Sequence, residues 1–281
     1  MPPVFKTDYH VHPDYSYDAA RDTIEEYCER ALAIGLSEIC FTPHYTAIPS
    51  VADKFGFVRH KGEKTPVTGG WLGDYIGEVR AADARYRDKG LRVFAGLEID
   101  YCGSIHDFLK KRLTDEHQID YMLGSVHLVN DGLDIMIPSE AEIIFTQTSP
   151  SDFYDFYFAE VDKIIDSGLF KSIAHIEGYK RYGVRHNPDY ADAGLIPYGH
   201  FERIFNKVFK KGMTFEINLS LFRDGQNVTN PVEEVLKMAY DCGIRSVAIG
   251  SDAHRLKDLA IAVESAVEAC RRIGLGVFSL A

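Results

Sequence analysis

The chain has 281 residues, 46% hydrophobic and 26% charged, with a formal net charge of −11. Such a composition suits a globular protein with a large core and argues against general duplex binding, which favours a basic surface. The five cysteines form no C-x-x-C pair, the first residues lack a basic stretch followed by an apolar one, and no apolar run is long enough to cross a bilayer; a single-domain cytoplasmic protein spanning residues 1–281, with reduced thiols and no membrane partner, is expected.

Phe5 to His12 reads as a first strand, ending in Asp8-Tyr9-His10-Val11-His12. Asp22 or Thr23 then caps a helix whose first turn holds Glu25 and Glu26 and which stops at Gly35. Ser37 to His44 is a second strand, with an apolar interior on both faces, as in a parallel sheet covered by helices. Residues 45–72 hold the single tryptophan, Trp71, and look irregular. A loop this long is usually functional or mobile, so a flap over the site is expected there.

A helix from about Asp74 to Lys89, stopped by Gly90, leads into a third strand from Arg92 to Tyr101. After a short helix from Ile105 to Leu113, Gln118 to His127 is a fourth strand. Residues 128–150 form a second excursion, and Ser151 or Asp152 caps the aromatic-rich helix that follows to about Asp166. Ser172 to Glu177 is a fifth strand, 178–199 a third excursion, and His200 to Lys211 a helix. Thr214 to Ser220 is a sixth strand, Pro231 opens a helix to about Cys242, and Ser246 to His254 is a seventh strand. A last helix runs from Leu256 to Ile273, and Val277-Phe278 is a possible closing strand.

Repeated strand–helix alternation points to a parallel α/β architecture. The choice between an open sheet and a barrel turns on where the polar residues fall. His10, His12, His44, Glu98, His127, His175, Asp252 and His254 all sit at the C-terminal ends of these apolar runs. Only closure brings so many strand ends to one point, so a barrel with its site at that end is expected. His10 and His12 are two apart in a strand and share a face, and Asp252-x-His254 repeats the spacing in the last strand. Imidazole and carboxylate are the usual ligands of zinc, iron and manganese. No G-x-x-x-x-G-K-[ST], G-x-G-x-x-G or G-x-S-x-G motif is present, which leaves nucleotide binding and serine-hydrolase chemistry without support.

The order H-x-H, x-x-P-H, G-x-E, G-S-V-H, A-H and G-S-D-A-H resembles the polymerase-and-histidinol-phosphatase (PHP) superfamily of metal-dependent phosphoesterases across residues 5 to about 260. Gly96-Leu97-Glu98-Ile99-Asp100-Tyr101, Asp120 to His127 and Phe215-Glu216-Ile217-Asn218 are similar to the histidinol-phosphate phosphatase branch. The resemblance implies a distorted seven-stranded (β/α)7 barrel and three divalent ions, Zn, Fe or Mn. It implies that His10, His12, Glu98 and Asp252 hold the first ion, that Glu98 bridges to a second held by His127 and His175, and that Asp18, His44 and His254 hold the third. Glu98, Asp252 and His254 are then the candidate catalytic residues.

The implied reaction is hydrolysis of L-histidinol phosphate to L-histidinol and phosphate. A hydroxide bridging two metals would be the nucleophile at neutral pH. Other small phosphomonoesters, or phosphotyrosine in a protein, are the alternatives; nucleic acid is not expected as substrate. Arg181 and Arg223 each follow a strand on the catalytic side and suit phosphate oxygens, with Lys180 as a further candidate and Arg185 and Arg255 behind it.

Overall fold

The structure is a computed structural model that describes residues 6–117, 119–129, 132–191 and 197–281. Its main sheet contains eight parallel strands: β1 (Thr7–Val11), β2 (Glu38–Phe41), β3 (Arg92–Asp100), β4 (Tyr121–Ser125), β5 (Ser172–Ile173), β6 (Thr214–Asn218), β7 (Ser246–Gly250) and β8 (Gly276–Val277). They lie in chain order, and His44–Tyr45 adds a short strand beside β3.

Closure happens in two ways. At the C-terminal ends, Val11 bridges Ala253 in parallel, and His12 N donates to Ala253 O at 2.9 Å. At the other end β8 pairs with the start of β7, and Phe278 and Leu280 pack into an interior cluster with Tyr9, Phe94 and Tyr121. The result is a nearly closed barrel. The expected Val277-Phe278 strand is therefore real, shifted by one residue and used as a plug.

Helices cover the outside: α1 (Ile24–Ala33), α2 (Trp71–Tyr86), α3 (Pro138–Gln147), α4 (Pro150–Ser167), α5 (Lys180–His186), α6 (Tyr198–Lys211), α7 (Glu233–Asp241) and α8 (Val263–Ile273). α1 shows why these segments fold locally. Thr23 and Glu26 form a reciprocal capping box, a feature whose cap residue is typically worth about 1 kcal/mol. Ile24, Tyr27, Cys28 and Ala31 then make one buried stripe at helical spacing.

Several expectations need correction. Residues 45–72 are not irregular: they contain the hairpin Phe57–His60/Glu63–Pro66, and Trp71 begins α2 instead of ending the loop. The indole is fully buried, with Nε1 donating to Val67 O at 2.8 Å. The 128–150 excursion holds a small hairpin, Leu128–Val129/Leu133–Asp134, and then α3, which Pro138 opens. Ser149, not Ser151 or Asp152, caps α4, with Pro150 in its first turn.

The fifth strand ends at Ile173, because the backbone turns at His175, whose φ is 22°. The 178–199 excursion begins with α5. Pro231 precedes α7, whose first residue is Glu233. The last helix is broken into a single turn, Leu256–Asp258, and α8, with Ala260 and Ala262 at positive φ between them. Gln118, at the start of the expected fourth strand, lies outside the described residues.

Candidate metal centre

The C-terminal ends of β1, β3, β4, β5 and β7 converge on one polar centre. A bulge in β1 helps: Asp8 pairs with Ile39 but Val11 with Phe41, so β1 carries one extra residue. Tyr9 then belongs to the interior plug while His10 enters the site. Glu98, near the end of β3, is central. Its Oε1 lies 2.9 Å from His175 Nε2 and 3.2 Å from His127 Nε2. Its Oε2 lies 3.4 Å from His10 Nε2, 3.5 Å from His12 Nε2 and 2.9 Å from His44 Nδ1. Asp252 Oδ1 is 3.4 Å from His12 Nε2 and 3.8 Å from His10 Nε2. Asp18 Oδ2 meets His44 Nε2 at 3.3 Å and His254 Nε2 at 3.2 Å.

Three groups have donor atoms close enough to share an ion: His10, His12 and Glu98; Glu98, His127 and His175; and His12, His44 and His254. All of the metal-ligand candidates read from the sequence lie in or beside these groups. The donors also fit a metal chemically. His10 Nε2 and His12 Nε2 are buried and make no hydrogen bond among the described residues, although both face Glu98 Oε2. Buried polar atoms without partners are costly, and an ion between them would relieve that cost.

Electrostatics point the same way. Burial works against charge on His10, yet Glu216, Glu98 and Asp252 hold its pKa well above the usual imidazole value. Burial also opposes charge on His44, but Asp18 and Glu98 raise its pKa to about 10. His12 goes the other way, pushed well down by burial and by the neighbouring His254 and His44. Despite burial, the pKa of Glu98 falls well below the carboxylate range because His10, His127 and His44 surround it. A cation at this centre would replace protons that the carboxylates otherwise hold on imidazole.

A sequence model of the PHP domain matches residues 8–220. The chain belongs to the PHP domain family. A probable histidinol-phosphatase of Deinococcus radiodurans is 29% identical over 95% of this chain and 93% of its own length. The histidinol-phosphatase of Bacillus subtilis is 26% identical over 94% of this chain and 99% of its own. The crystal structure of histidinol phosphate phosphatase from Lactococcus lactis, complexed with zinc, L-histidinol and phosphate, superposes with a TM-score of 0.74 at 20% identity, covering 98% of this chain and 96% of that one. At that identity the superposition speaks for the PHP barrel fold.

In this PHP domain a further layer of residues, not assigned from sequence, orients the imidazoles. Glu216 on β6 places Oε1 2.7 Å from His10 Nδ1, and its Oε2 accepts from His175 N at 2.9 Å. Gly250 makes room for it: a Cβ there would overlap Glu216 Oε1 and come within 2.5 Å of His10 Cβ. Asp100 Oδ1 lies 3.1 Å from His127 Nδ1, while its Oδ2 accepts from Thr46 Oγ1 at 2.6 Å. Ser16 Oγ is 3.0 Å from His12 Nδ1. Such partners fix ring orientation and raise ligand basicity. Asp100 had a usable signal, two residues from Glu98 on the same strand face; Glu216 sits in the quoted Phe215-Glu216-Ile217-Asn218 stretch.

The hairpin in 45–72 braces the loop carrying Asp18. Arg59 donates from its guanidinium to Asp14 O and Tyr17 O at 3.0 Å each and to Ala19 O at 3.4 Å; its own N–H donates to Tyr15 O at 2.8 Å. The metal groups floor a cavity of about 470 Å³. Arg181 and Arg223 line it, as do Arg255 and Lys257. Lys180 does not; its ammonium lies 2.6 Å from buried Glu177. Arg223 sits on the short helix Ser220–Arg223 and also donates to Asp252 O.

Among the described residues, no helix is long and apolar enough to cross a membrane.

Proposed function

We propose that the protein is a metal-dependent phosphomonoesterase acting on L-histidinol phosphate, releasing L-histidinol and phosphate. One observation carries the reading. The polar floor of the cavity divides around a single carboxylate, with Glu98 Oε1 facing His127 and His175 and Oε2 facing His10, His12 and His44. Arg181 and Arg223 stand on the wall of the same cavity, with Arg255 beside them in its lining. The family membership and the names of the relatives favour the phosphatase reading and the histidinol phosphate substrate.

His10, His12, Glu98 and Asp252 would hold one ion, Glu98, His127 and His175 a second, and Asp18, His44 and His254 a third, each Zn, Fe or Mn. When bound, such ions lower the pKa of water to make a nucleophile and neutralise phosphoryl oxygens. The chain does the rest. Glu98 and Asp252 supply the negative charge that keeps cations clustered. Glu216, Asp100 and Ser16 hold His10, His127 and His12 in a single orientation. Arg181 and Arg223 grip phosphate oxygens with planar forks and add stabilisation as charge moves onto them in the transition state.

The test is phosphate release by purified protein, stripped of metal and reloaded with zinc or manganese. The substrates are L-histidinol phosphate, sugar phosphates, a phosphotyrosine peptide and single-stranded DNA. Highest kcat/KM on L-histidinol phosphate is expected. A clear preference for any of the others overturns the substrate assignment.

A further inference from the structure

Six carboxylates line the cavity: Asp18, Glu98, Asp100, Asp134, Asp252 and Asp258. Four of them lie within ion-pair distance of a histidine. Asp258 is half-exposed at the mouth, where water screens it. Asp134 differs from all of these. It is 8% exposed, yet no lysine, arginine or histidine lies within ion-pair distance of it among the described residues. Its position is well fixed. Leu128 pairs with it in the small hairpin, Ile135 N donates to His127 O at 2.9 Å, and Asp134 N donates to Glu140 Oε2 at 2.8 Å. One carboxylate oxygen, Oδ1, accepts from Met136 N at 2.6 Å; no hydrogen bond to Oδ2 is present among the described residues.

A buried carboxylate without a cation costs folding free energy, so its retention in a cavity wall asks for a ligand that neutralises it. The cavity already divides its labour: cation-binding groups on the floor, and phosphate-binding arginines on the wall. The positive group nearest Asp134, His127, is already paired with Asp100 and Glu98. L-Histidinol phosphate carries a counter-charge, an ammonium on the carbon next to the ester methylene. That spacing requires an acid close to the phosphate, and Asp134 is anchored beside His127. Met136 and Ile137, next along the same wall, offer apolar surface for the rest of the molecule.

We propose that Asp134 is the specificity residue of this cavity, pairing with the ammonium of an amino-alcohol phosphomonoester. The assignment rests on the phosphomonoesterase reading above.

Asp134→Asn is the discriminating variant, because the amide oxygen can still accept from Met136 N while the charge is gone. Asp134→Ser, whose hydroxyl can also accept, is the second. Each is compared with wild type on L-histidinol phosphate and on its deamino analogue, 3-(imidazol-4-yl)propyl phosphate, with bound metal measured in parallel. The wild type should prefer the ammonium substrate. In the variants that preference should fall about 10- to 100-fold, mainly through KM, as expected for one charge-assisted contact. The deamino analogue should be hydrolysed at close to the wild-type rate, with unchanged metal content. Equal losses on both substrates, no loss on either, or loss of metal would overturn the assignment while leaving the phosphatase reading intact. A wild type that hydrolyses neither compound would remove the phosphatase reading and this one with it.

Discussion

The two ends of the barrel interior both bury charged and polar side chains, and they treat them in opposite ways. At the N-terminal end Glu38 is 1% exposed and has no cation beside it among the described residues. Every oxygen is nevertheless satisfied. Tyr9 donates its hydroxyl to Oε2, Ser279 Oγ donates to Oε1 at 2.6 Å, and Leu280 N reaches the Tyr9 hydroxyl at 2.8 Å. Burial and Glu38 push the Tyr9 pKa far up, so the phenol stays a donor. At the C-terminal end, buried His10 Nε2 and His12 Nε2 have no hydrogen-bond partner among the described residues. A satisfied buried network rigidifies, whereas an unsatisfied one stores affinity for whatever completes it. The same barrel thus carries a structural end and a functional end, distinguished by how their buried ionisable side chains are paired; hydroxyls without partners among the described residues occur at the N-terminal end too, on Thr7, Tyr121 and Ser172.

Substitutions can break this contrast, and the largest effect should come from Glu98→Gln. Glu98 serves two of the three groups. Elemental analysis should show both depleted, and kcat/KM should fall at least as far as the 10²–10³-fold typical of losing one electrostatic group. His254→Ala should chiefly deplete the group it shares with Asp18 and His44. Equal depletion of all ions by both changes would contradict separate groups.

Arg181→Ala comes next. Loss of one preorganised donor costs roughly 2–4 kcal/mol, or about a 30- to 1,000-fold drop in kcat/KM, with metal content intact. Arg223→Ala should match that fall and also loosen Asp252, because Arg223 contacts both its carbonyl and, at 3.7 Å, its carboxylate. Full activity in both variants would move phosphate binding to Arg255 or Lys257.

Glu216→Gln tests the supporting layer. Metal affinity should weaken about 10- to 100-fold, measured by competition with a chelator. At the opposite end, Glu38→Gln should leave activity unchanged and lower unfolding free energy by about 1–3 kcal/mol in denaturant titrations. A fall in activity without a fall in stability would erase the distinction between the ends.

The most gradual effect is on pH. His44 has its pKa raised to about 10 in the folded, metal-free chain. Its stabilising contribution is complete below the ordinary value near 6.5 and disappears as pH rises through 10. Chelator-treated protein should therefore lose stability between those limits, by at most about 1.4 kcal/mol per pH unit from this group. Metal affinity should rise over the same range as protons leave. Flat apoprotein stability across that window would show that His44 is not held protonated.

Much of the site was legible because its residues occupy the ends of local patterns. His10 and His12 stand two apart and Glu98 ends an apolar run; Asp252 and His254 follow the last such run, although that strand stops at Gly250 and Asp252 has φ 56°, so the expected strand does not reach His254. Strand polarity suffices to place such residues at one mouth. Glu216 was harder. It lies within β6 and acts through contacts with His10 and His175, whose distance in the chain no local pattern encodes. Arg59 escaped for the same reason, since its bonds to Asp14, Tyr17 and Ala19 exist only once the hairpin folds over that loop.

By itself, then, the sequence determined the α/β class, most of the strands, the imidazole and carboxylate donors and the end of the barrel where they gather. Those follow from periodicity and residue type, which are properties of neighbours in the chain. Tertiary structure alone decided that Glu98 divides its two oxygens between clusters, that Lys180 faces Glu177 instead of the cavity, that Asp134 is buried without a cation among the described residues, and that β8 and Leu280 plug the far end. Each depends on which atoms meet across segments distant in sequence, and those meetings are set by barrel closure and by the satisfaction of buried polar groups.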